Sequence, residues 1–182
     1  MMARMTQPAA AALLTLPVLR TDGATTTLQA ELGPRTTVVV FVRHFGCLLC
    51  RERATQVRGR ERELQAAGSR VVFVGTGLPA MAADFAASQA GSHVVLTDPK
   101  RALFAAAGMR RGLFTTLHWR LFANAWRAFR SGFRQTKVQG DPWQQGGVLV
   151  LAQDGSVRHR QVDRAGGDLL DLDAVLAAVR AC

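Results

Sequence analysis

Cys47 and Cys50 are the residues whose type and spacing can carry chemistry in this chain. A thiolate, not a thiol, is a nucleophile, and a Cys-x-x-Cys pair can pass between dithiol and disulfide. Arg43 and Arg51 flank the pair and can hold positive charge beside a thiolate, with His44 a third candidate for that field. Two other readings of a close cysteine pair are a buried structural pair and a zinc site. Zinc needs a second pair of ligands, and His44, His93, His118, His159 and Cys182 do not offer metal-ligand spacing, so no metal is expected.

A thiolate is best placed at the first turn of a helix, where free N–H groups and the positive end of the dipole face it. The sequence supplies that context. Val38-Val39-Val40-Phe41-Val42 is an unbroken apolar run, the pattern of a strand buried on both faces. After Gly46 come the cysteines and a charged stretch of helix-forming composition. Cys50 then lies one helical turn beyond Cys47 on the same face, placed to attack a mixed disulfide or sulfenic acid formed there. Strand, cysteine pair, helix in this order reads as a thioredoxin-like redox motif.

The 182 residues, 48% of them hydrophobic, suffice for a single domain over 1–182 with a full core. Three cysteines do not make a disulfide framework, and a lone Cys-x-x-Cys favours a reducing, cytoplasmic setting. The Ala-Leu patch from Ala9 to Leu16 is short and lacks a cleavage site, so residues 1–12 are read as a tail and not as a signal peptide. No apolar run reaches the roughly 20 residues of a membrane span. The net charge of +10 is almost all arginine. It is read chiefly as solvated surface, with no specific nucleic-acid site.

Taken in order, Leu14 to Leu19 and Thr25 to Leu28 are predicted strands about the turn Thr21-Asp22-Gly23. Gly33-Pro34 breaks a short helix at Gln29 to Leu32. The central strand, Thr37 to Val42, leads through the cysteines into one long helix ending near Ala67, with Gly68 beyond it. Arg70 to Gly75 is the next buried strand. A helix from Pro79 to Gln89, a strand from His93 to Leu96 and a helix capped by Asp98 and opened by Pro99 follow. Val148 to Ala152 and Ser156 to Arg160 form a hairpin around Asp154-Gly155. Asp168 or Asp171 caps a last helix reaching Arg180, with Leu172, Val175, Leu176 and Val179 inward.

Residues 109–137 interrupt this alternation. They carry seven basic residues, no acidic one, and many large apolar side chains. Phe114, Leu117, Leu121, Phe122, Ala125 and Phe129 fall near one helical face. The segment reads as a basic amphipathic helix. It can cover a core edge, form a dimer interface or substrate lid, or touch anionic lipid at the membrane surface.

Phe45-Gly46-Cys47-Leu48-Leu49-Cys50-Arg51-Glu52 resembles the active-site signature of the peroxiredoxin-like 2 proteins, within the alkyl hydroperoxide reductase / thiol-specific antioxidant superfamily. Gly140 to Gly147 and Gly166-Gly167-Asp168 are similar to that family's approaches to its last hairpin and helix. The resemblance implies an α/β thioredoxin-like fold, with a peroxiredoxin-type N-terminal β-hairpin and the amphipathic helix inserted before the last β-hairpin. It implies Cys47 as nucleophile and Cys50 as resolving thiol. It also implies relatives such as prostamide/prostaglandin F synthase, no bound cofactor, and electrons from NADPH through thioredoxin and its reductase. Phe45, Gly46, Trp143 and Gly147 become the expected substrate pocket. The chain departs from the typical peroxiredoxin Pro-x-x-x-Thr/Ser-x-x-Cys. No proline occurs from Phe41 to Gly46, and with Cys50 in the peroxidatic place Cys47 would stand at the Thr/Ser position.

The expected function is a thiol-dependent reductase acting on a peroxide, endoperoxide or disulfide and recharged by thioredoxin or another dithiol. The expectation from a different class is a redox-sensing binding protein. There the cysteine pair switches an interaction of the basic segment with a partner or an anionic membrane.

Overall fold

The computed structural model describes residues 12–112, 119–134 and 140–182. The expected tail falls almost wholly outside these residues, as do Phe114 and Leu117 of the expected amphipathic face. The described elements are β1 (Pro17–Arg20), β2 (Thr25–Thr27), α1 (Leu28–Leu32), β3 (Thr37–Phe41), α2 (Leu48–Gly59), α3 (Glu61–Ala66) and β4 (Arg70–Gly75). After these come α4 (Pro79–Phe85), continued by a π-helical turn (Ala86–Ala90), β5 (Val94–Thr97), α5 (Ala102–Ala106), α6 (Trp119–Arg130), β6 (Gly147–Leu151), β7 (Val157–Val162) and α7 (Leu172–Arg180).

The strands form one sheet in the order β2-β1-β5-β4-β3-β6-β7. β3, β4 and β5 run parallel, whereas β6 is antiparallel to β3 and β7 to β6. The β1/β2 hairpin joins the other side antiparallel to β5. This is the thioredoxin-like α/β architecture, with α6 inserted before the β6/β7 hairpin.

The apolar run in β3 is central, as its composition requires. Val38 through Val42 are all fully buried, each worth about 1.5–3 kcal/mol over an exposed side chain. Their alternation divides two cores. Val38, Val40 and Val42 face the layer containing both cysteines, Val57, Leu64, Phe85, Ala128 and Val175. Val39 and Phe41 face Leu28, Leu32, Leu103, Phe104 and Met109.

Several element boundaries differ from the sequence prediction. Residues 12–15 are helical and the first strand starts at Pro17, not Leu14. A short apolar run does not distinguish the two states, and proline is tolerated as the first residue of a strand. The expected single helix to Ala67 is broken: Arg60, after Gly59, takes φ −111° and ψ 12° and starts a second helix. Glycine is the weakest helix former there short of proline. The break lets the Arg60 guanidinium donate to Asp173 on α7 at 2.9 Å. Pro99 is not the first helical residue. Arg101 adopts a left-handed conformation and the helix starts at Ala102. Asp98 still caps it from a distance, accepting the N–H groups of Ala102, Leu103 and Phe104 at 3.2, 2.8 and 3.3 Å.

The inserted helix shows a different inward face from the expected one. Ala128 is fully buried and Leu121 packs against the cysteine-side core, whereas Phe122 and Phe129 point outward with Trp126. The reason is polar. Arg127 makes a bidentate pair with Glu52 of α2 at 3.0 and 2.9 Å and donates to the Gly167 carbonyl at 3.0 Å. Asn124 donates to the Gly166 carbonyl at 3.0 Å. These bonds rotate the helix so that its Leu121-Asn124-Arg127-Ala128 side meets the body.

Candidate active site

Both cysteines lie where β3 hands over to α2. Cys47 is the N-cap residue and Cys50 sits in the first turn. They are buried, 3% and 4% exposed, and form no disulfide. The Cys47 N–H donates to the His44 carbonyl at 3.2 Å, which closes the turn over Phe45-Gly46. The Cys47 carbonyl accepts the N–H groups of Cys50 and Arg51, both at 3.1 Å.

The environment separates the two thiols. The Cys50 thiol hydrogen-bonds to the Cys47 sulfur, and this contact is the largest influence lowering the Cys47 pKa to about 6. Burial opposes the shift, while Arg43 and the amides of Cys50 and Leu49 reinforce it. The amides act on the sulfur electrostatically, with no closed side-chain cap bond. Burial pushes Cys50 well above the ordinary thiol range, and the neighbouring Cys47 pushes it further. At neutral pH the pair is therefore a thiolate on Cys47 and a thiol on Cys50. The pH dependence follows. Thiolate absorbance is expected to rise through a midpoint near pH 6 in Cys182→Ser protein, with Cys47 the group that titrates. In Cys50→Ala, which lacks the donor, the midpoint should move upward. A midpoint above pH 8 in the parent would show that Cys47 is not held as a thiolate at neutral pH.

Arg43 occupies a junction. Its guanidinium donates to the Pro142 carbonyl at 2.7 Å. One Nη lies against Gly166, where a Cβ would approach it to 2.4 Å. Its carbonyl accepts the Thr76 hydroxyl at 2.7 Å, and Thr76 in turn accepts the Asp141 N–H at 2.8 Å. The Thr76 hydroxyl thus ties the cysteine loop to residues 140–143. The Arg43 Nε is buried and without a partner among the described residues. Arg51 is half-buried on α2 and is not among the main influences on either thiol. His44 does not supply positive field. Burial, then Arg43, lowers its pKa to about 4, so it is neutral at physiological pH.

The four expected pocket residues are not brought together. Phe45 is 1% exposed; its ring fills the space a side chain would take at Gly75 and packs 5.3 Å from Phe85. It is a core residue that anchors the cysteine loop. Gly75→Ala would drive a methyl into that ring and is expected to cost about 1–3 kcal/mol, read as a fall in the urea midpoint. Gly46 is buried in the turn before Cys47. Gly147 pairs with Phe41 on the sheet face opposite the cysteines, where a Cβ would meet the Gln161 carbonyl and Met109. Only Trp143, 38% exposed, presents surface, on a loop anchored to Arg43 through Pro142. Cavities of about 880 and 290 Å³ lie along β7 and between α3 and β5, and neither is lined by a cysteine.

Sequence reasoning missed Arg53 and Asp163. Arg53 is 5% exposed and Asp163 1%. The guanidinium donates to the Phe41 carbonyl at 3.0 Å, to Asp163 Oδ2 at 2.7 Å and to the Asp168 carbonyl at 2.7 Å. Burial opposes its charge, but Asp163 and then the two cysteines outweigh burial and raise its pKa. Gly146 is the residue that makes room, since a Cβ there would lie 2.3 Å from both Arg53 Nη1 and the Phe41 carbonyl. The available signal was the three-residue step from Cys50 to Arg53 on one helical face. Asp163 is brought in from a strand end 110 residues away.

Among the described residues no group of three or more His, Cys, Asp or Glu is placed to hold a metal. No helix among them is long and apolar enough to cross a membrane.

Comparison with known proteins places this geometry. Residues 58–165 match the family model described as AhpC/TSA antioxidant enzyme. The chain is similar to human peroxiredoxin-like 2C, 31% identical over 185 residues that cover 95% of this chain and 81% of the relative. In fold it is similar to the peroxidoxin BcpB from Mycobacterium tuberculosis (TM-score 0.66, 19% identity, 91% and 92% of the two chains covered). It is likewise similar to the Xanthomonas campestris bacterioferritin comigratory protein (TM-score 0.65, 22% identity, 94% of each chain covered). The family match begins after Cys50, so it rests on the body of the fold, while the similarity to peroxiredoxin-like 2C extends over nearly the whole chain. With a thioredoxin-like sheet, a paired thiol at the head of α2 and these relatives, the chain belongs to the AhpC/TSA antioxidant-enzyme family, in its peroxiredoxin-like 2 group.

Proposed function

We propose that this protein is a thiol-dependent oxidoreductase in which Cys47 attacks a peroxide, endoperoxide or disulfide and Cys50 resolves the product. The observation that carries the reading is the division of labour between the two thiols, one held as thiolate at a helix start and the other held protonated against it. With a hydroperoxide, the Cys47 thiolate attacks the terminal oxygen, the O–O bond breaks, and Cys47 becomes a sulfenic acid. The leaving alkoxide takes the Cys50 proton and departs as alcohol. The Cys50 thiolate so formed attacks the Cys47 sulfur, expelling hydroxide that solvent protonates to water and leaving a Cys47–Cys50 disulfide. With a disulfide substrate, Cys47 forms a mixed disulfide and Cys50 displaces the second thiolate. Arg43, charged and with a spare Nε–H, is suited to the developing negative oxygen. Arg51, exposed to more solvent, has at most a supporting place.

A dithiol such as thioredoxin would reduce the disulfide and close the cycle, with NADPH entering only through the upstream reductase and no cofactor bound to this chain. Such a cycle belongs in a reducing compartment such as the cytoplasm. The test is NADPH oxidation by thioredoxin and its reductase in the presence of this protein with hydrogen peroxide, an organic hydroperoxide, an endoperoxide or a model disulfide. Turnover with one of them supports the reading and identifies the oxidant class. A single stoichiometric oxidation with no turnover would replace it with a redox-sensing protein.

A further inference from the structure

We propose that the outer face of α6 is a docking surface for anionic membrane lipid. Phe122, Trp126 and Phe129 stand on that face, 66%, 63% and 50% exposed. At positions i, i+4 and i+7 they form one ridge. Trp126 and Phe129 stack with centroids 6.2 Å apart, and the Arg134 guanidinium lies 4.3 Å over the Phe129 ring. Exposed Arg130 borders the same ridge. Large aromatics beside arginines, on a helix lying along the surface, are the combination that seats in the headgroup and upper acyl region of an anionic bilayer.

The ridge is already built. The opposite side of the helix is held to the body by the Arg127–Glu52 pair, the Asn124 and Arg127 bonds to residues 166–167, and the buried Ala128. Binding lipid therefore requires neither unfolding nor rotation of α6, and the ordering entropy is already spent in folding. Charge selects the occupant. From residue 109 to 140 the chain has no acidic residue, and among the described side chains of the helix the one basic residue that meets a carboxylate, Arg127, does so on the inner side. Two copies meeting through this ridge would bring arginine against arginine, whereas a phosphate-bearing surface supplies the complementary sign. Because α6 packs on α2, docking here would bring the helix that starts at the cysteine pair to the bilayer.

The test is co-sedimentation of the full reduced chain with vesicles of phosphatidylcholine alone or with roughly one-third phosphatidylglycerol. The bound fraction is expected to rise at least about tenfold with the anionic lipid and to fall again near 0.5 M NaCl, where screening is short-ranged. Trp126→Ser/Phe129→Ser should lose at least about tenfold in binding, since it deletes the apolar insertion. Arg130→Glu/Arg134→Glu, a surface change that leaves the aromatics in place, should lose about as much, roughly fivefold per arginine. Equal binding to both vesicles, or wild-type binding by either variant, would overturn the proposal. A wild-type dimer in light scattering that Trp126→Ser/Phe129→Ser converts to monomer would assign the face to a second copy instead.

Discussion

Cys47→Ser should reduce thioredoxin-coupled turnover to background, a loss of at least about a thousandfold, while Cys50→Ser should still consume one equivalent of oxidant and then stop. The asymmetry follows from the two thiols' states. A serine hydroxyl at position 47 is neither ionised near neutrality nor able to accept an oxygen atom, so no sulfenic acid forms. A serine at position 50 can still donate a hydrogen bond to Cys47, keeping its pKa low, but it cannot displace hydroxide from an oxidised sulfur. Oxidised Cys50→Ser should therefore carry a sulfenic acid on Cys47 that a dimedone reagent traps, and the parent should carry a disulfide. Both sites are buried and the substitutions nearly isosteric, so melting temperatures should stay close to the parent's and separate chemistry from folding. The alternative alignment with typical peroxiredoxins, in which Cys50 attacks the peroxide, predicts the reverse. In that case Cys50→Ser is inert and Cys47→Ser is oxidised once.

The second large effect is on stability. Arg53→Ala is expected to destabilise the fold by about 3–5 kcal/mol, because it leaves the Asp163 carboxylate buried and unpaired. Asp163 already bears the cost of burial, which pushes its pKa up, while Arg53 pulls it back. Two further acceptors would lose their donor at the same time: the Phe41 carbonyl at the end of the central strand and the Asp168 carbonyl. Asp163→Leu/Arg53→Met should be far less damaging than either single change, since no uncompensated charge remains. Urea denaturation of the wild type, Arg53→Met, Asp163→Leu and the double variant closes the cycle. A single Arg53→Ala effect below about 1 kcal/mol would show that water reaches the pair and that it does not act as a buried anchor. The same substitution should raise the Cys47 midpoint, because the guanidinium interacts electrostatically with both cysteines.

Local patterns were legible wherever one short stretch carried the whole physical reason. Five consecutive β-branched and aromatic residues fit a strand buried on both faces, and β3 lies between β4 and β6. Cys47 at the head of a helix and Asp154-Gly155 at a hairpin are decided within a few residues and stand as read, and of the two candidate caps of the last helix, Asp168 and Asp171, the structure uses Asp171. The N-terminal hairpin and the inserted helix were likewise visible as turn signals and as periodicity.

The failures arise where a partner distant in sequence makes the decision. Periodicity grouped Phe122 and Phe129 with the inward face of α6, but one ion pair to Glu52 and two loop carbonyls set the helix rotation. His44 is an ordinary histidine in sequence; burial beside Arg43 keeps it neutral well into the acid range. Phe45, beside the motif in sequence, and Gly147, far along the chain from it, face opposite cores through the loop and the pleat. What the amino-acid order determined by itself is the cysteine pair, set three residues apart, and the strand–helix frame that holds it, because those depend on spacing of a few residues. What only the tertiary structure decided is which charges surround the thiols. Arg53 and Asp163 meet across the fold in a volume where water is excluded, and it is that shared burial, absent from any local pattern, that gives their charges reach.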